Sequence, residues 1–228
     1  MVRKGERVDV SDLFLLRESS GDQVARHIRS LIVNGALRRG ARVPQDEIAA
    51  ALGVSRIPVR EALVALDREG WVTLQMHHGA FVLGIDEQWV RDHYALLAAL
   101  FGLGAQRAAI RGTAPEVEQL RALQRELDRE TDVAGFAERN HDVLEQLFTM
   151  ARSPRLTAAR RAVTGVLTGN FFAQVPGTIE PHRRGMAATV CAVSARDDGM
   201  ARQRLEAVIA EHGRDVVQLL QLRGVLAG

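Results

Sequence analysis

Arg56 and Arg60 stand four residues apart in the segment Leu52-Gly53-Val54-Ser55-Arg56-Ile57-Pro58-Val59-Arg60-Glu61-Ala62-Leu63. On a helix, that spacing puts both guanidiniums on one face near its N-terminal end. A guanidinium can donate two parallel hydrogen bonds to O6 and N7 of a guanine, so these residues suit the reading of base edges in a DNA major groove. Taken alone, two arginines at this spacing are more often solvated surface residues; their setting reverses that. Small Ala49 lets two helices cross closely, Gly53 turns the chain, and Val54, Val59 and Leu63 close a miniature core, which is helix-turn-helix grammar.

The remaining reactive side chains offer less. Cys191 is the single cysteine, so no intrachain disulfide can form. His77 and His78 are neighbours in a hairpin and point to opposite sides, which disfavours a shared metal. No nucleophile elbow, phosphate-binding glycine loop or cysteine-histidine constellation of catalytic spacing occurs, so the chain reads as a non-enzyme without a cofactor.

A reading pair of arginines needs a rigid element behind it, and the composition says which kind. The 228 residues suggest two domains, and 46% hydrophobic content with 25% charge is ordinary for a globular protein. Aromatic residues make up only 4%, and the chain is dense in Ala, Leu, Arg and Glu, which predicts a mainly α fold. The net charge is only +2, yet 29 of the 30 basic residues are Arg, the side chain suited to bidentate phosphate or guanine contacts. Residues 1–85 carry 12 basic and 10 acidic groups against 18 and 18 in the rest, so the small excess is N-terminal. No run reaches the roughly 18 uninterrupted apolar residues of a membrane span, and no signal segment opens the chain, so a cytoplasmic protein with no membrane partner is expected.

Residues 1–20 read as a polar arm with an apolar patch at Leu13, Phe14, Leu15 and Leu16. Val24, Ile28, Leu31 and Ile32 then recur at helical spacing up to Asn34-Gly35. A second short helix follows Pro44 and ends at Gly53, and a third runs from a Ser55 N-cap to about Arg68. Trp71 to Leu74 and Ala80 to Leu83 form a hairpin around Gln75-Met76-His77-His78-Gly79. Beyond Ile85 the texture becomes continuously helical, with helices expected over 86–111, 115–130, 132–151, 153–172, 179–195 and 198–223. The expected organisation is therefore an arm at 1–20, a winged helix-turn-helix at 21–85, and a bundle of six or seven antiparallel helices at 86–228.

The run Gly53 to Leu63, with Asn34-Gly35-Ala36-Leu37, Gly40, Gly70-Trp71-Val72 and His78-Gly79-Ala80-Phe81-Val82, resembles the GntR family of bacterial regulators over residues 22–83. The resemblance implies that Ser55, Arg56 and Arg60 lie in the major groove and that the wing tip at His78-Gly79 enters the minor groove. Arg42, Gln45 and Arg26 are weaker candidates for phosphate contacts. Asp46 stands where many relatives carry a basic residue, and it is assigned no contact. An operator read this way is double-stranded DNA with an inverted repeat, bound by a homodimer.

Residues 86–220 resemble more weakly the helical effector domain of the FadR-type branch, anchored on Phe136-Ala137-Glu138, the run Ala151 to Leu156, and Ala192 to Asp197. Many members hold a divalent metal with one Asp or Asn and three His. In this register Asn140 takes the acidic position, while Leu144, Met186 and Val208 replace the histidines, and Leu97 and Phe101 replace polar residues of the first long helix. No metal is expected there, and the resulting effector pocket of Leu97, Phe101, Asn140, Leu144, Met186 and Val208 suits a fatty acyl or lipid-like acid. Two alternatives stay open. A register shifted by one turn would let His93, His141, His182 and His212 supply a displaced metal and carboxylate site, and a filled bundle would leave an architectural DNA-binding dimer. The function expected is that of a transcription regulator, in the first instance a repressor, whose DNA affinity responds to a small effector.

Overall fold

Ser19 starts the first helix by accepting from the Asp22 amide at 3.0 Å while the Asp22 carboxylate reaches back to Ser19, a reciprocal cap that orders the entry to α1 (Ser20–Val33). The computed structural model describes residues 19–163 and 170–226, so the patch Leu13–Leu16 of the expected arm lies outside the described residues. Helix α2 (Gln45–Leu52) stops at Gly53, whose φ of 63° is the left-handed turn the sequence called for. Helix α3 (Arg56–Arg68) starts after Ser55, but the Ser55 hydroxyl makes no capping bond. Strands β1 (Val72–Gln75) and β2 (Gly79–Val82) pair antiparallel with Val72 opposite Val82 and Gln75 opposite Gly79. The three-residue loop between them needs a left-handed His77 at φ 63° before Gly79 at φ 101°. Residues 41–43 run beside β2, with the Val43 amide donating to Ala80 and the Val82 amide to Ala41.

Seven helices follow among the described residues: α4 (Glu87–Arg111), α5 (Ala114–Arg129), α6 (Val133–Ala151), α7 (Pro154–Val163), α8 (Phe171–Gln174), α9 (Ile179–Ser194) and α10 (Asp198–Leu222). The single helix expected over 153–172 does not run through, since α7 is described as far as Val163 and Asn170 is extended, its side chain capping the short α8. Helix C-termini leave carbonyls without intrahelical partners, and arginines reach across the bundle to take them. Arg152 donates to Arg111 and Arg196 to Ala109 at the end of α4, while Arg183 donates to Leu127 and Glu130 at the end of α5. Arg152 and Arg196 themselves sit at positive φ after α6 and α9. Part of the arginine excess therefore serves the bundle and not a ligand.

Two apolar clusters form. One joins Val24, Ile28, Val59, Leu63, Leu66 and the hairpin residues Val72, Ala80 and Val82. The other fills the bundle around Phe136, Leu147, Met186 and Leu205. The first cluster also takes in Val90 at the start of α4 and Val216, Val217 and Leu220 at the end of α10, so the long helices reach into the winged part. Trp71 meets Trp89 edge to face at 4.9 Å across the same seam.

Candidate nucleic-acid interface and helical-domain pocket

The left-handed turn at Gly53 swings α3 back across α2 so that the N-terminal ends of both helices meet. Arg42, Gln45, Asp46, Glu47, Arg56 and Arg60 line one open groove of about 490 Å³ there. Four residues expected at the interface, Arg42, Gln45, Arg56 and Arg60, are thus brought together from three segments. Ser55 stands exposed beside them, its hydroxyl unspent on the helix. The Arg42 side chain reaches toward the wing, with its Nε 3.2 Å from where a Cβ at Gly79 would sit. Gly79 with its positive φ lets the arginine lie over the hairpin, and His78 occupies the loop beside it. Arg26 is exposed on α1 and does not line the groove. Sequence reasoning set Asp46 aside, yet its Oδ1 holds the Arg56 Nε at 2.8 Å.

The residues expected to line an effector cavity are placed differently. Leu97, Phe101, Met186 and Val208 belong to the filled bundle core with Leu144 packed against it, and Phe101 meets Phe148 edge to face at 5.3 Å. A pocket of about 470 Å³ instead lies between α9 and α10 under the turn at 175–178 and takes only Val208 from that set. Its lining is mixed, with His182, Arg184, Arg204, Glu211, His212 and Asp215 beside apolar Val175, Pro176, Pro181, Ala188 and Ala207. Of the expected apolar set, Leu97, Phe101 and Met186 are thus buried in the core and Val208 reaches the pocket. At Gly185 an added Cβ would lie 2.3 Å from Val208 Cγ2, so the two helices touch there.

At the base of this pocket, three residues from three helices form a hydrogen-bonded row. Asn140 Oδ1 lies 2.7 Å from His182 Nε2, and His182 Nδ1 lies 2.8 Å from His212 Nε2. The Asn140 oxygen can only accept, so His182 donates from Nε2, accepts at Nδ1, and receives the Nε2–H of His212. Both imidazoles are neutral. Burial pushes His212 down to about 4, and burial together with the neighbouring His212 holds His182 well below the usual imidazole range. His182 and His212 each stand one turn from Met186 and Val208, which is the shifted register. His141 points out to solvent, and His93 lies at the seam between the two clusters, stacked on Trp89 at 5.5 Å.

The arrangement does not fit the divalent ion of the family. It offers two imidazoles and one amide oxygen, both nitrogens of His182 are already engaged, and Leu144 contributes no donor. Among the described residues, no group of three or more His, Cys, Asp or Glu is placed to hold a metal ion. Asp215 faces the pocket with its carboxyl raised by partial burial and by Glu211, Arg214 opposing. No helix among the described residues is long and apolar enough to cross a membrane.

Comparison with known proteins gives two family matches. The bacterial regulatory proteins, gntR family, match over residues 20–82, and the FCD domain matches over 92–211. An uncharacterised HTH-type transcriptional regulator of Mycobacterium tuberculosis is 37% identical over 151 residues, 66% of this chain and 62% of that protein, so the match spans less than two thirds of the relative. The gluconate operon transcriptional repressor of Bacillus subtilis is 38% identical over 81 residues, 36% of this chain and 33% of its own. Among solved structures, McbR/YncC of E. coli superposes with a TM-score of 0.61 at 20% identity, covering 88% of this chain and 98% of that one. Lar of Listeria monocytogenes does so with 0.59 at 18% identity over the same shares. At such identities the likeness is one of fold.

Proposed function

The chain belongs to the gntR family of bacterial regulatory proteins and carries an FCD domain, and from that premise we propose that it is a sequence-specific DNA-binding transcription regulator acting as a homodimer on an inverted repeat. The convergence of Arg42, Gln45, Arg56 and Arg60 in one open groove carries this reading. Arg56 and Arg60 read base edges, and Arg42 with Gln45 attaches to the backbone and sets the register. The wing tip at His78-Gly79 follows the minor groove. Repression is the mode that the resemblance to the gluconate operon repressor supports.

The FCD part holds a small effector that shifts the population between DNA-competent and DNA-incompetent dimers. Its site is the pocket between α9 and α10, where Arg184, Arg204, Glu211 and Asp215 can anchor the polar group of a small effector and Val175, Pro176, Pro181 and Val208 can cover an apolar part of it. The test is enrichment of duplexes from a random pool by the full chain, followed by fluorescence anisotropy on the enriched sequence. Arg56→Ala and Arg60→Ala each weaken binding to that sequence by about 5- to 150-fold, with little change on unrelated DNA. A pool that yields no enriched sequence overturns the reading.

A further inference from the structure

Asp46 and Arg56 form an ion pair inside the groove shared with Arg42, Gln45 and Arg60, with Asp46 Oδ1 2.8 Å from Arg56 Nε. Both side chains are 69% exposed, so the pair contributes little to folding, and its consequence falls on the arginine. Asp46 stands on the first turn of α2 and Arg56 is the first residue of α3, so the bond spans the helix-turn-helix at its open side. The carboxylate pairs with the guanidinium on its Nε side. The two terminal nitrogens stay free, and these are donors able to meet O6 and N7 of a guanine together.

The carboxylate also faces the surface along which phosphates approach. A negative charge there opposes backbone attachment to any sequence alike. An acid at this place therefore lowers general DNA affinity while it orders the residue that discriminates. That combination raises the ratio of specific to non-specific binding, the quantity that matters against a genome of competing sites.

We propose that Asp46 is a specificity-determining positioning residue, which holds Arg56 in its base-reading orientation and weakens backbone binding in the same groove. The inference rests on the DNA-reading function proposed above. Its test compares wild type, Asp46→Ala, Asp46→Asn, Arg56→Ala and the double variant Asp46→Ala/Arg56→Ala, all as full-length chains. Each is given the random duplex pool and is then titrated on the wild-type enriched duplex and on an unrelated duplex.

Asp46→Ala should bind unrelated DNA about fivefold more tightly at low salt and lose about tenfold in discrimination at the base pair read by Arg56. Asp46→Asn removes the charge on which the ion pair rests, so it should gain the backbone affinity and lose base preference as Asp46→Ala does. In the Arg56→Ala background, Asp46→Ala should leave discrimination unchanged while still raising general affinity. Equal gains on both duplexes with unchanged discrimination would overturn the proposal and make Asp46 a plain surface charge. A discrimination change that persists without Arg56 would also overturn it, since Asp46 would then read a base itself. If wild type enriches nothing, the DNA-reading function fails first, which is a distinct result.

Discussion

The row Asn140, His182, His212 makes proton uptake and folding compete at single residues. Burial disfavours a charge on either imidazole of the row. His212 and His93 are both pushed down to about 4 by burial, and His182 moves in the same direction. Their folded values lie below the unfolded value near 6.5, so the unfolded chain binds more protons as pH falls. Stability is therefore fully present above about pH 6.5 and is lost as pH drops toward 4. Each such histidine adds a slope of up to about 1.4 kcal/mol per pH unit within that window. Denaturant titrations at pH 7.5, 6 and 5 should show this fall, and His212→Asn should flatten it. A profile equally steep in that variant would place the protons elsewhere. His93 differs in kind, because its Nε2 is buried and unbonded among the described residues. His93→Phe keeps the ring on Trp89 and removes the orphaned nitrogen, so it should raise stability at pH 7 by about 1 kcal/mol and remove one titrating group.

Helix contacts in the bundle depend on positions without a side chain. Gly213 on α10 faces α4 so closely that an added Cβ would lie 2.6 Å from Tyr94 Cβ and 2.9 Å from Tyr94 Cγ. Alanine gains about 1 kcal/mol of helix propensity there, and the clash with the stem of a buried ring exceeds that gain, so Gly213→Ala should destabilise by about 1–3 kcal/mol net. A thermal midpoint equal to or above wild type would contradict this packing. Gly213 marks the limit of what the sequence discloses. The 3.6-residue period and the punctuation by Gly53, Pro44, Gly79 and Ser153-Pro154 were legible because they are local signals. So were the helix-turn-helix and the placing of Arg56 and Arg60 on one face. How closely α9 packs on α10 is a tertiary fact, set where Gly185 meets Val208; it leaves Met186 in the core while His182, one turn away, lines the pocket with His212 and Val208. The Asp46–Arg56 pair was hidden for a similar reason: the turn at Gly53 brings the two residues together, and neither residue type announces the other.

At the scale of the molecule, α10 belongs to both halves. Val208, Glu211, His212, Asp215 and Gln218 line the pocket, while Val216, Val217 and Leu220 are buried in the cluster of the reading head. His212 and Val216 are one turn apart, about 6 Å along the axis, so a rotation or shift of α10 that opens the pocket also moves the floor of the winged part. Close-packed contacts lie on both sides of it, Gly213 on Tyr94 and Val217 in the cluster of the winged part, so a displacement at one end is felt at the other. Coupling is reciprocal, which allows a test that needs no identified effector: DNA on the head must act on the pocket by the same route. Hydrogen exchange of the full chain with and without its enriched duplex should show altered protection at 212–220, spreading to 179–186 on α9. Val217→Ala thins the contact between α10 and the head while leaving Arg56, Arg60 and the pocket lining in place. It should keep DNA affinity within about threefold and shrink the exchange response on α9, because the coupling of about 1–3 kcal/mol typical of such systems passes through that contact. A response that stops at the winged part in wild type would mean that the head and the pocket share a helix without sharing an equilibrium.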